Sequence, residues 1–126
     1  MKPLSLLILV PTAFLQCATA SAQSANSCAA AGRYAVTGQI PGATGYYRGE
    51  ATISSNGTGC YMRWFPPNDS EGTGTYVNGV LTIAFTFANG GQGMVSYNRA
   101  PNGEFRGRWW MNANPSSQGT ETLRPL

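Results

Sequence analysis

Histidine is absent from the 126 residues, and lysine occurs once, at position 2. Without histidine there is no Ser-His-Asp triad, no imidazole metal ligand and no imidazole base. Charged residues make up only 10% of the chain. That share disfavours coiled coils and helix bundles, which need Lys, Glu, Leu and Ala in quantity. Disorder is disfavoured as well, because aromatics reach 11% and charge is sparse. Long apolar runs are missing too. The one candidate, Leu4 to Leu15, covers about twelve residues and is interrupted by Pro11, short of the roughly 20 needed to cross a bilayer as a helix. Cysteine is scarce, with three in all.

What is present at the start reads as an export signal over residues 1–22. Lys2 supplies the positive end, Leu4 to Leu15 the apolar centre, and Ala20-Ser21-Ala22 a small-x-small cleavage site before Gln23. Gln16 precedes Cys17, where lipid attachment prefers Gly or Ala, so a lipid anchor is not expected. Cleavage leaves Cys28 and Cys60, an even pair that predicts one disulfide in an oxidising compartment, periplasmic or secreted. Closing that loop stabilises by roughly 3–4 kcal/mol in the chain-entropy picture. Two cysteines without histidine make no metal site, and nothing calls for a cofactor. The remaining basic residues are seven arginines against five acids, too mild a bias to imply nucleic acid.

Residues 23–32 are small and polar and predict an irregular segment; 33–126 predict a single all-β domain. Asn-Gly occurs at 56–57, 78–79, 89–90 and 102–103, the favoured dipeptide of tight hairpin turns. Between these signals the pattern has period two. Eight strands are expected at 33–39, 45–54, 59–65, 72–77, 80–87, 92–98, 104–111 and 118–124. Tyr47, Gly49, Ala51 and Ile53 share one face, as do Leu81, Ile83, Phe85 and Phe87, and Phe105, Gly107, Trp109 and Met111. One greasy face and one wetter face are what antiparallel sheets show. A flat sheet of that size has two exposed edges, so the expectation is an eight-stranded antiparallel up-and-down barrel, closed by pairing first and last strands. Glycines at 49, 74, 93 and 107 fall on the inner face and permit the bending that closure needs.

Several motifs carry a family resemblance: Gly32-x-Tyr34-x-Val36-x-Gly38, Pro41-Gly42, Tyr47-x-Gly49-x-Ala51-x-Ile53, Cys60 with Trp64, Gly72-x-Gly74, Gly93-x-Val95-x-Tyr97, Gly103-x-x-x-Gly107-x-Trp109 and Gly119-x-Glu121-x-Leu123-x-Pro125. Over Gly32 to Pro125 the chain resembles small exported alphaproteobacterial proteins loosely labelled fibronectin-binding-like. The resemblance implies a β-barrel-like domain at the cell envelope and brings no binding residues with it. The final strand also resembles those of avidin and calycin barrels, at the level of fold only.

Two constellations bear on function. Arg48, Arg63, Arg106, Arg108 and Arg124 fall on the outer face with Tyr61, Phe65 and Trp110. Arginine with large aromatics is the composition of interface hot spots, so Arg48, Arg63, Phe65, Arg106, Arg108 and Trp110 are the expected contact set for a protein or envelope polymer. The ordinary alternative is a solvated wall with arginines paired to Glu50 and Glu104. The second constellation is Glu121, which alternation turns inward with Gly119 and Leu123. A buried carboxyl must be paired, hydrogen-bonded or neutral. Tyr34, Trp64, Tyr97 and Trp109 share the inner face and are the expected donors, as a structural plug or as the lining of a ligand pocket. With no histidine, free thiol or second lysine, nucleophile–base catalysis has no players, and no enzyme is expected. The leading expectation is an exported, non-catalytic barrel binding a macromolecule, adhesin-like or inhibitor-like. The alternative is a small-ligand barrel anchored by Glu121. An interior packed solid by Trp64, Phe85, Phe87, Trp109 and Met111 favours the first; a cavity of several hundred cubic ångströms, the usual pocket scale, favours the second.

Overall fold

The computed structural model describes residues 28–126. The expected signal at 1–22 and residues 23–27 lie outside them. The described residues form eight strands and no helix: β1 (Gly32–Gln39), β2 (Tyr47–Asn56), β3 (Gly59–Trp64), β4 (Ser70–Val77), β5 (Val80–Phe87), β6 (Gln92–Arg99), β7 (Phe105–Met111) and β8 (Gln118–Pro125). Each pairs antiparallel with the next, and β8 pairs with β1, closing the barrel. The reason is the one that the alternation gives. Val36, Ile53, Met62, Leu81, Ile83, Val95 and Leu123 are buried inside, while the residues between them meet solvent. Closure leaves no strand edge unpaired.

The Asn-Gly signals mark hairpins by three different geometries. Asn78 and Gly79 both have positive φ, 52° and 80°, and join Val77 to Val80 in a two-residue turn. Asn56 instead ends its strand, paired with Gly59, so the turn there is Gly57-Thr58, with Gly57 at φ 61°. At Phe87–Gly90 and Ala100–Gly103, the glycine N–H donates back to the carbonyl three residues earlier and only the glycine is left-handed. These two are type I turns closed by a left-handed glycine, the usual three-residue hairpin loop.

The two ends of the barrel differ. At one end residues 28–31 fold across the opening, held by the Cys28–Cys60 disulfide with a Cα–Cα distance of 5.3 Å. The Tyr34 hydroxyl donates to the Ala30 carbonyl at 2.6 Å, and the Cys28 N–H donates to Ser55 Oγ at 3.3 Å. Behind this plug, Phe105 packs edge-on against Tyr34, Tyr76 and Tyr97. The Arg99 guanidinium lies 5.0 Å from the Phe105 ring centroid, covering it from outside. The opposite end carries the β1–β2, β3–β4, β5–β6 and β7–β8 loops and is open.

Candidate functional site

Glu121 sits where register gives it room. On the inner face it pairs with Gly107 of β7 on one side and Gly38 of β1 on the other. Gly107 pairs in turn with Tyr97, and Gly38 with Tyr47. The row across five strands therefore reads Tyr97, Gly107, Glu121, Gly38, Tyr47. The Tyr47 ring lies over Gly38: a Cβ there falls 2.4 Å from the Tyr47 hydroxyl and 2.5 Å from the Thr120 carbonyl oxygen. Glycine beside an aromatic is a known way to seat a ring flat on a curved wall. Gly119 does the same for Trp109, whose indole Nε1 lies 2.7 Å from where a Cβ would stand.

Three donors converge on the carboxylate. The Tyr47 hydroxyl donates to Oε1 at 2.7 Å, Trp64 Nε1 donates to Oε2 at 2.8 Å, and the Tyr97 hydroxyl also donates to Oε2. Glu121 is 6% exposed. Burial pushes its carboxyl pKa up; the hydrogen bonds from Tyr97, Tyr47 and Trp64 oppose the rise without cancelling it. Burial, followed by the nearby Glu121 charge, raises Tyr47 and Tyr97, which keeps both as protonated donors.

Above Glu121 opens a cavity of about 430 Å³. Trp64, Phe85, Phe87 and Trp109 form its walls, with Tyr47 and Glu121 at its base. The rings meet edge to face, at centroid distances of 5.7 Å for Trp64–Phe85, 5.4 Å for Phe85–Phe87 and 6.4 Å for Phe85–Trp109. Asn68, Asp69 and Asn89 make a polar lip. Ile40, Tyr46 and Phe65, all exposed, lie in or beside the loops at this end. Among the described residues, Trp109 Nε1 is the one buried side-chain nitrogen or oxygen without a partner in good hydrogen-bonding geometry; it lies near enough to the Tyr47 hydroxyl to oppose the rise in that group's pKa.

The expected pocket residues thus divide. Trp64 and Glu121 meet in the cavity, and Trp109 lines it without donating to Glu121. Tyr97 reaches the carboxylate from below, outside the lining. Tyr34 does neither; its hydroxyl is spent on Ala30 at the plugged end. Tyr47 is the donor that the sequence reasoning left out. Its inward parity was legible, but its pairing with Gly38 was not, because the seven-residue β1–β2 connection leaves register open.

The expected outer set is spread around the wall. Arg106, Arg108 and Trp110 are on β7, Arg48 on β2, and Arg63 and Phe65 at the end of β3. Strands β8 and β1 separate β7 from β2, roughly 14 Å around the wall. Arg63 is held by Asp69 at 2.8 Å with its guanidinium 5.7 Å from the Phe65 centroid. Arg106 is held by Glu104 at 2.8 Å, and Glu50 pairs with Arg33 rather than with a member of the set. Arg48, Arg108 and Arg124 have no ion pair among the described residues. Trp110 is half-buried, registered between Met94 and Gln118. It lines, with Arg106, Arg108 and Thr120, a shallow depression of about 490 Å³ on the outer wall.

Among the described residues, no group of three His, Cys, Asp or Glu side chains is placed to hold a metal ion, and no helix is long and apolar enough to cross a membrane. No family model, curated protein or solved structure matches the chain. The fibronectin-binding-like resemblance therefore rests on its motifs alone.

Proposed function

We propose that the protein binds a small organic ligand in the open mouth of the barrel, with the aromatic walls supplying contact area and Glu121 fixing orientation. One observation carries this reading: a cavity of about 430 Å³, aromatic on its sides, ends on a buried carboxylate. Its volume and its lining, apolar with a few convergent polar groups, are those of ordinary ligand pockets. An interior packed solid by its aromatic residues would favour the outer wall instead. The reading is one of binding rather than turnover. Paired-carboxylate chemistry needs two carboxyl groups free to act, and here Asp69 is engaged by Arg63 and Glu121 by three donors. The disulfide suits an oxidising compartment, and we place the protein in the periplasm or outside the cell.

A second reading keeps the depression beside Trp110 as a docking surface for a protein or an anionic envelope polymer. It is favoured by the half-buried Trp110 beside Arg108, an arginine without an ion pair among the described residues.

The three tryptophans separate the two readings, since Trp64 and Trp109 line the mouth and Trp110 faces outward. A library of soluble fragments screened by NMR should move the indole N–H signals of Trp64 and Trp109. Val95→Phe, which fills the cavity from its wall, should abolish those shifts in a folded barrel. Shifts confined to the Trp110 signal, or none at any indole, count against the mouth.

A further inference from the structure

The mouth holds a carboxyl group that its own residues leave without a counter-charge. Glu121 is buried and has no cationic partner among the described residues. The seven arginines all lie within the described range, yet none lines the cavity. The only other carboxylate in the lining, Asp69, is already paired with Arg63 at 2.8 Å. A buried carboxylate without a counter-charge is costly even when hydrogen-bonded.

Its hydrogen-bonding capacity is also incompletely used. A carboxylate offers about four lone-pair positions. Tyr47 takes one on Oε1, and Trp64 and Tyr97 take two on Oε2. One acceptor position remains, on Oε1. The cavity that Glu121 lines is walled by Tyr47, Trp64, Phe85, Phe87 and Trp109. Aromatic faces carry negative potential and attract ammonium groups, most strongly where water is excluded. An anionic ligand meets repulsion here from both the carboxylate and the rings. A neutral ligand leaves the buried charge unmatched.

We propose that the mouth selects a protonated organic amine, an inference that rests on the ligand-binding reading above. The ammonium N–H donates to the unused position on Glu121 Oε1, and the apolar body lies against Trp64, Phe85 and Trp109. The bound cation supplies the counter-charge that the barrel lacks.

The test uses three probes of matched shape: 2-phenylethylammonium, neutral 2-phenylethanol and anionic 3-phenylpropanoate. Each is titrated into the protein at neutral pH while the Trp64 and Trp109 indole N–H signals are followed. The amine should bind roughly tenfold or more tightly than the alcohol, as expected for a charge-assisted bond within an aromatic box, and the anion should bind weakest. Glu121→Gln should bring the amine down to the alcohol's affinity, while Glu50→Gln, on the outer face and away from the mouth, should preserve the preference. If Glu121→Gln does not fold, acidification of the wild-type protein replaces it: protonating Glu121 removes its charge while the probe's ammonium keeps its own, and the preference over the alcohol should disappear. Equal affinities for amine and alcohol at these signals overturn the amine assignment but leave ligand binding in the mouth standing. Silence from all three probes also overturns the assignment, and the fragment screen then judges the ligand-binding reading separately. Retention of the preference in a folded Glu121→Gln variant overturns the role given to that carboxylate.

Discussion

Phe105 and Phe87 are both inward-facing phenylalanines of one barrel, near opposite ends. Phe105 is fully buried and touches three tyrosine rings, with Arg99 covering it. Phe87 is half-buried, meets Phe85 at 5.4 Å and borders open cavity. The plugged end turns its polar groups inward on one another, as when Tyr34 donates to Ala30. The open end gathers three donors on a single carboxylate and still leaves one acceptor position unspent. Satisfied groups rigidify a structure, whereas unsatisfied ones hold capacity for something else. The contrast separates a sealed end from an open one, the end to which the proposed function assigns recognition.

The contrast makes its largest claim at Phe105. Phe105→Ala should cost about 3–5 kcal/mol, the range for a ring deleted from a closed core, read as a fall in the urea midpoint at unchanged slope. A loss below about 1 kcal/mol would break the distinction between the ends. Next, Cys28→Ser with Cys60→Ser should cost roughly 3–4 kcal/mol, measured in the same way. The Trp64 and Trp109 indole signals of the folded double variant should stay in place, because neither residues 28–31 nor Cys60 line the mouth. At the mouth, Phe87→Ala should cost only about 1–2 kcal/mol, since the ring forfeits less burial and leaves no sealed void. A cost as great as that of Phe105→Ala would mean that the mouth is core.

The smallest effect expected is a slope. Burial raises the Glu121 carboxyl above its ordinary value of 4.5 despite its donors. Between that value and the raised native one, the native state binds more protons than the unfolded chain. This group's contribution therefore falls as pH rises through the window and is fully present below it. Glu121→Gln should flatten that part of a stability-against-pH curve measured by denaturation. A wild-type curve that rises steadily through the same window, with the rise removed by Glu121→Gln, would mean that the carboxylate is stabilised by its site rather than strained by it.

Much of this architecture can be read along the chain, and the part that cannot has a common cause. Alternation places Ala51, Ile53, Leu81, Ile83 and Phe105 inside, and all five are buried. It does so because side chains in a strand point to opposite faces with period two, a local property. The Asn-Gly signals locate hairpins for a local reason too, though only Asn78-Gly79 is left-handed at both residues. Glu121 reads as inward by the same parity. Trp64 and Tyr97, expected as donors by that parity, do reach it. Tyr47 is not expected there, because its meeting with Glu121 joins strands 74 residues apart in the chain. The cavity is less legible still. Trp64, Phe85, Phe87 and Trp109 fill a solid interior and line a hollow one equally well on paper.

Composition and alternation alone determined an all-β chain, which residues face inward, where the chain turns, and that Cys28 and Cys60 were available to pair. Those properties belong to single residues and their near neighbours. Tertiary structure decided that Gly38 and Gly107 flank Glu121, that Tyr47 rather than Tyr34 reaches it, and that one end is closed while the other stays open. Each of those outcomes depends on register around a closed barrel, and register is a relation among strands that no stretch of sequence holds by itself.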